Sequence, residues 1–351
     1  MKEVFILGAG ASKASGCTPL GNELVWDYYA DCTKLKTYNR NGKPDLSKDD
    51  EEFRHYKQFL NLVEIHYPEL REKGILKKYI ERGDRLYHAP FSLQKEYYVD
   101  EILRVIILRN DFEGTELIRN LIYEHIVRSG IKKSNNEYNI FEQKILQNRI
   151  LGEVSIISLN FDFLLREDFR EAISFDYVIQ FDYIDKNRQD QYKKNNPIPL
   201  IKLNGSLDWG ICKICDRLSL FFAPRGKDFY LNKTCDIGCG RQIQPFIIIP
   251  HEKYREKIDE LWNKAKMIIS QAKKITVIGY SFPEYDTKVI SLFRESMRAD
   301  VEFDVVDYCQ SNKNKEDEIH TFRKRYREMF PKLKKEVKIN LDGFREYLHN
   351  L

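Results

Sequence analysis

Four of the seven cysteines stand in two tight pairs, Cys212-x2-Cys215 and Cys235-x3-Cys239, with nineteen residues between them. Each pair has the short spacing that lets two thiolates grip one tetrahedral ion, and the gap between the pairs suits a zinc ribbon. Gly238 and Gly240 fit a tight knuckle beside the last cysteine. Protein would fill all four positions, so the zinc is expected to be structural; a catalytic zinc keeps one position open.

A second candidate is Gly8-Ala9-Gly10-Ala11-Ser12. Glycines let backbone N–H groups approach a pyrophosphate, and a helix N-terminus behind them favours its negative charge. The dinucleotide fingerprint G-x-G-x-x-G is broken, because position 13 is Lys. Phosphate binding and a plain strand-to-helix turn both remain open readings. A third candidate is the set of polar residues directly after apolar runs: Asn160 and Asp162, Asn204, Gly279 to Ser281, and Asp307. In an open α/β sheet, ligands bind beyond the carboxyl ends of the strands. Singly, each of these is an ordinary Asx-turn or helix cap; together with the Gly-rich segment they can line one crevice.

Strands and helices must position these groups. Glu3 to Gly8 reads as a short buried strand, and its Gly-rich continuation as a turn leading to a helix near Leu20 to Tyr29. Glu51 to Ile150 is mostly helical, with Val99, Ile102, Leu103, Ile106 and Ile107 at three-to-four spacing. Further strands are expected at Val154–Leu159, Pro199–Leu203, Phe246–Ile249, Lys274–Gly279 and Val301–Val306. An amphipathic helix is expected over 255–273, its stripe made by Ile258, Leu261, Trp262, Ala265, Ile268, Ile269 and Ala272. Strands alternating with helices predict a mostly parallel sheet covered on both faces.

Composition sets the outer limits. The hydrophobic fraction is 42%, with 21 Phe and 21 Tyr, enough apolar surface for a sizeable core. A net charge of +4 neither demands nor excludes a polyanionic partner. No apolar run approaches the roughly 18 residues of a membrane span, and the apolar start is too short for a signal peptide, so a soluble, cytoplasmic protein with no membrane partner is expected. Arg323 to Arg327 with Lys332, Lys334 and Lys335 reads as a solvated helix face more than a nucleic-acid surface. The seven histidines show no metal pairing.

Taken in order, these segments resemble the sirtuin (Sir2) family, and within it the bacterial Sir2-like branch of anti-phage defence. The segments are GAGAS (8–12) with SGCTPLG (15–21), SLNFD (158–162), LNGSLDW (203–209), the four cysteines, IIIP (247–250) through VIGYSFP (277–283), and GFREYL (343–348). The resemblance implies a Rossmann-like α/β domain made of 1–30, 151–205 and 245–351, a zinc-ribbon small domain at 206–244 and a helical insertion at 31–150. It implies NAD in the cleft between the large and small domains. Gly8, Ala9, Gly10, Ala11 and Ser12 would hold its phosphates, with Pro19 beside them. Asn160 and Asp162 would order the attacking water and the nicotinamide ribose or amide. Gly279, Tyr280 and Ser281 would contact the phosphate and ribose region, and Asp307 the adenine ribose.

Two departures bear on the activity. Where deacylating members carry Asp-Phe-Arg, Pro19 is followed here by Leu20-Gly21-Asn22. The family's catalytic His falls on Asn204, which has no proton to titrate near neutral pH and cannot act as a general base. The expectation is therefore a slow NAD glycohydrolase, releasing nicotinamide and ADP-ribose, with Asn160, Asp162 and Asn204 at the reacting end. The alternatives are a non-catalytic NAD- or ADP-ribose-binding subunit of a defence complex, and an NAD-dependent protein deacylase. A homo-oligomer or a partner protein of a defence system is implied, and the helical block at 51–150 is expected to control the cleft or assembly.

Overall fold

Val4 to Leu7 form an unbroken apolar run, the mark of a strand covered on both faces rather than one washed by solvent on alternate residues. The computed structural model describes residues 2–15, 51–68, 99–129, 137–146, 153–162, 175–184, 197–212, 214–221, 233–235, 239–248, 256–284, 286–308 and 315–350. In chain order its elements are β1 (Glu3–Leu7), α1 (Ala9–Ala14), α2 (Glu51–His66), α3 (Val99–Leu108), α4 (Phe112–Ser129) and α5 (Glu137–Phe141), which runs on as a π-helical turn (Glu142–Leu146). Then come β2 (Val154–Ser158), β3 (Phe175–Asp176), β4 (Tyr183–Ile184), β5 (Ile198–Lys202), β6 (Gly205–Cys212), β7 (Leu218–Leu220) and β8 (Ile243–Ile247). The last are α6 (Glu256–Gln271), β9 (Lys274–Ile278), α7 (Thr287–Ser296), β10 (Glu302–Val306), α8 (Lys315–Met329), β11 (Lys338–Asn340) and α9 (Gly343–His349).

The chain divides into two units, one of Met1–Thr18, Ile131–Ile248 and Lys253–Leu351, the other of Pro19–Gly130 with Ile249–Glu252. The first holds a seven-stranded sheet of order β11-β10-β9-β1-β2-β5-β3. Every pairing in it is parallel. This is the mostly parallel sheet that the strand–helix alternation predicts, and the Rossmann-like α/β class that the resemblance implies. Strand β1 is the centre: Leu7 pairs with Ser158 on one side and Ile278 on the other. From β1 the chain adds β2, then β3 at the far edge with β5 placed between them, and returns to add β9, β10 and β11 on the opposite side. The order therefore reverses at the β1/β9 boundary, where open α/β sheets bind ligands.

A second sheet, β4-β7-β6-β8, packs in the same unit, with β6 antiparallel to β7 and β8. Leu203 and Asn204 turn the chain from the first sheet into the second. Gly205 makes the turn possible: its φ is +73°, and a Cβ there would lie 2.1 Å from the Phe246 carbonyl oxygen. In the other unit α2, α3 and α4 pack on one another. Their turn is fastened by Asp111, whose carboxylate accepts from the Gly114 amide at 2.8 Å and meets His66 Nε2 at 3.0 Å. Among the described residues no helix is long and apolar enough to cross a membrane.

The Gly-rich segment departs from the expected turn. Helix α1 begins at Ala9, so Ala9 to Ser12 are themselves helical. Three alanines in six residues favour this, since alanine has the highest intrinsic helix propensity. The helix expected near Leu20 to Tyr29 lies outside the described residues. Strand β8 also starts earlier than expected, at Ile243, and Asp208 and Trp209 of the LNGSLDW segment sit inside β6. The small sheet supplies the reason: Trp209 pairs with Leu220 of β7, the Phe221 amide donates to Asp208 O at 2.9 Å, and both residues are completely buried.

Helix α1 meets the loop after β9 through backbone contacts. The Gly10 amide donates to the Gly279 carbonyl at 2.9 Å, and Gly8 donates to Ile278 O at 2.9 Å. A Cβ on Gly279 would lie 2.2 Å from the Ala11 nitrogen, and its φ is +63°. Gly279→Ala is expected to destabilise the first unit by about 1–3 kcal/mol from the left-handed backbone alone, with the clash adding to it. Chemical denaturation measures the change. A variant as stable as the original protein would mean that α1 does not sit against Gly279.

Candidate functional site

Because the strands of the large sheet are parallel, their carboxyl ends share one edge. Asp307, Gly279, Gly8, Asn160 and Asn204 follow β10, β9, β1, β2 and β5, so they line that edge in this order. At about 4.8 Å per strand, Asp307 and Asn204 stand roughly 19 Å apart, a row suited to an extended ligand.

Asn160 is the best-held member. It is 6% exposed, and its side-chain amide donates to Gly8 O at 2.9 Å and to Ser12 Oγ at 2.8 Å. Both bonds use the NH2 group, which leaves Oδ1 as the acceptor. Ser12 Oγ in turn lies 2.9 Å from the Tyr138 hydroxyl on α5. Asp162 is buried, and its backbone oxygen accepts from Lys202 Nζ on β5. Asn204 Nδ2 donates to Leu159 O at 2.9 Å, so its side chain braces the residue before Asn160. The Asn204 carbonyl accepts from the Ile248 amide at 2.9 Å, tying the same turn to the end of β8.

The Gly-rich segment is more committed than a free phosphate cradle. The Gly10 amide is bonded to Gly279 O, and the Ala11 amide to Gly8 O at 3.0 Å. Ala11 and Ser12 are fully buried. Ala9 and Gly10 are the partly exposed residues of the segment.

Beyond β9, the loop from Gly279 to Pro283 is anchored by Phe282, which is completely buried with φ of +48°. A left-handed backbone at such a residue costs about 1–3 kcal/mol. Burying its ring offsets that by a similar amount. The ring packs on Phe293 and Phe330 with centroids 5.0 and 5.2 Å away. Arg325 Nη2 donates to the Phe282 carbonyl at 2.8 Å. Ser281 is exposed, and Tyr280 donates its hydroxyl to Asp286. Burial raises the Asp307 carboxyl above its ordinary range, although the Tyr308 amide and Arg325 oppose the shift. Pro19 lies outside the described residues.

The four cysteines converge. Cys212 Sγ is 3.2 Å from Cys239 Sγ, Cys215 Sγ is 3.5 Å from Cys235 Sγ, and all four sulfurs lie within 4.8 Å of one another. Four thiolates about 2.3 Å from one tetrahedral zinc stand about 3.8 Å apart, so the cluster fits a zinc site. Burial works against ionising Cys212, but hydrogen bonds from the backbone at Cys215 and from the Cys239 thiol bring it down to about 6.

Two residues of this region were not singled out by sequence. Lys202 carried a signal, a charge inside the apolar run Pro199–Leu203. Tyr138 carried none, since it sits in a helical stretch with no motif.

No protein-family model matches the chain, and no curated protein does. Solved sirtuin structures resemble it at low depth. One described as "The Structural basis of Sirtuin Substrate Affinity" is 13% identical with a TM-score of 0.42, over 99% of this chain and 92% of that one. "Structure of Sir2Tm bound to a propionylated peptide" is 12% identical with a TM-score of 0.41, over 100% and 91%. "Sir2-p53 peptide-NAD+" is 13% identical with a TM-score of 0.41, over 99% and 91%.

The purified protein is expected to carry one zinc per chain, measured by elemental analysis, and Cys215→Ser is expected to lose it. Because metal binding requires thiolates, zinc should be released on acidification. A metal-free protein with a full set of reactive thiols would refute the site.

Proposed function

We propose that the chain is a Sir2-like NAD glycohydrolase of a bacterial anti-phage defence system. The observation that carries this is the pinned Asn160. With both amide donors committed to Gly8 and Ser12, its Oδ1 is fixed as an acceptor at the sheet edge. An acceptor of this kind can hold one water by its hydrogen.

In the reaction, the bond between the ribose C1′ and the nicotinamide nitrogen breaks, and the nicotinamide leaves with the electron pair. Positive charge builds on the ribose. The oxygen of the held water bonds to C1′, and its proton passes to solvent. A highly electrophilic cation needs a placed water more than a strong base. Asp162 would orient the nicotinamide end. Gly8 to Ser12, Pro19, Gly279 to Ser281 and Asp307 would flank the rest of the dinucleotide. The four cysteines would hold a structural zinc that fastens the small sheet and takes no part in a step. The defence role rests on the motif resemblance alone, as do a partner protein, an oligomer and control by the helical block at 51–150.

A second reading has its own support. Asn204 braces Leu159 O and offers no titratable group, which suits a subunit that binds NAD or ADP-ribose without turning it over. Incubation with NAD, with and without an acyl-lysine peptide, separates the readings. Acyl-independent nicotinamide release is expected. Release only with the peptide would mean a deacylase, and bound NAD without release would mean a binding subunit.

Asn204→His should raise nicotinamide release, up to the about 10²–10⁴-fold that general acid–base help supplies, with little change in NAD affinity. Asn160→Ala should abolish it. High turnover in the original protein that Asn204→His leaves unchanged would overturn this assignment of roles.

A further inference from the structure

The hydrogen-bond chain that fixes Asn160 does not end within the sheet. It runs from Asn160 Nδ2 to Ser12 Oγ at 2.8 Å, and from Ser12 Oγ to the Tyr138 hydroxyl at 2.9 Å. Asn160, Ser12 and Tyr138 are all buried, at 6%, 0% and 1% exposure. In such a site a hydroxyl has few alternative partners, so each rotor is set by its neighbour. Ser12 has one hydroxyl proton. Its orientation decides whether its lone pair faces the Asn160 amide, and the Tyr138 hydroxyl is the group beside it on the other side.

Tyr138 is itself held from the far end of the chain. It lies on α5, and α9 packs against both α5 and α1. The Phe344 ring meets Tyr138 and Phe141, each at a centroid distance of 5.9 Å. Phe141 meets Phe5 of the central strand at 5.0 Å. Arg345 Nε donates to Glu137 Oε1 at 2.6 Å, next to Tyr138 in the chain. Lys144 Nζ donates to the Leu348 carbonyl at 2.9 Å, placing a cation at the carboxyl end of α9, where the helix dipole favours it. Three kinds of contact thus fix α5 and the π-helical turn that continues it to the last helix.

We propose that Tyr138 is a positioning residue for Asn160, acting through Ser12 and held in register by the C-terminal helix α9. This rests on the reading of Asn160 as the group that holds the attacking water, and it adds the means by which that group is aimed. Tyr138 does not touch the reacting atoms. Its hydroxyl orients Ser12, Ser12 orients the Asn160 amide, and the fixed amide leaves Oδ1 pointing one way.

The test is Tyr138→Phe in the full-length protein, with two readouts. In protein labelled with [15N]asparagine, the Asn160 side-chain amide pair is identified by its loss in Asn160→Asp. Tyr138→Phe is expected to shift or broaden that pair. In nicotinamide release, kcat is expected to fall by about tenfold or more, because small misplacements of a reacting group are costly, while KM for NAD stays within about twofold. Val337→Ala, which trims a buried side chain beside the edge strand β11, serves as the stability control. It should lower the unfolding midpoint and leave both the amide pair and kcat unmoved. An Asn160 amide pair unchanged by Tyr138→Phe would overturn the proposal, as would an unchanged kcat in an active protein. So would equal effects from Val337→Ala, which would mean general loosening. If the original protein releases no nicotinamide, the glycohydrolase reading fails by itself, and the amide resonance still decides whether Tyr138 aims Asn160.

Discussion

The backbone contact between helix α1 and the loop after β9 is the constraint on which the site depends. Gly279 presses against Gly10 and the Ala11 nitrogen at distances no side chain would tolerate. Gly8 is equally closed, since a Cβ there would lie 2.4 Å from Tyr280 Cβ. This close approach seats α1 directly on the β1/β9 boundary. It brings Gly8 O and Ser12 Oγ to where Asn160, at the end of the neighbouring strand, can donate to both. A longer residue at any of these glycines would lift α1 and remove both acceptors together. The glycines therefore act first through packing. Two amides of the segment, on Gly10 and Ala11, are used up inside the protein.

Around that contact the polar groups of the strand ends are paired. Asn160, Ser12 and Tyr138 bond in series, Asn204 fixes Leu159 O, and Lys202 fixes Asp162 O. Buried polar groups are costly unless paired, so such a set specifies one arrangement of the strand ends rather than several. The aromatic cluster of Phe282, Phe293, Phe303, Tyr326 and Phe330 does the equivalent for the loop beyond β9, with dispersion and apolar burial in place of hydrogen bonds. Beside the second sheet, four sulfurs lie within one ion's reach.

Much of this was legible from residue types. Apolar runs followed by Asn, Asp or Gly marked the strand ends, because a buried parallel strand must be apolar and must stop at a polar turn. The spacing of Cys212, Cys215, Cys235 and Cys239 marked a metal cluster, because two short loops suffice to bring two thiolates each to one point. The stripe on α6 marked its buried face, and Ile258, Leu261, Ala265 and Ile269 are indeed buried.

Tertiary structure alone decided the rest. The sequence shows that Gly8, Gly10 and Gly279 are glycines, but only the fold shows that they meet, because the approach is between segments far apart in the chain. Asn204 read as a reacting-end residue standing where the resemblance puts a catalytic His, and the fold gave its amide a bond to Leu159 O. Tyr138 had no signal at all: its role comes from a hydroxyl 2.9 Å from Ser12, a contact across 126 positions that no local pattern encodes. Local spacing determines which groups can share a face or an ion. Long-range packing determines which of them touch.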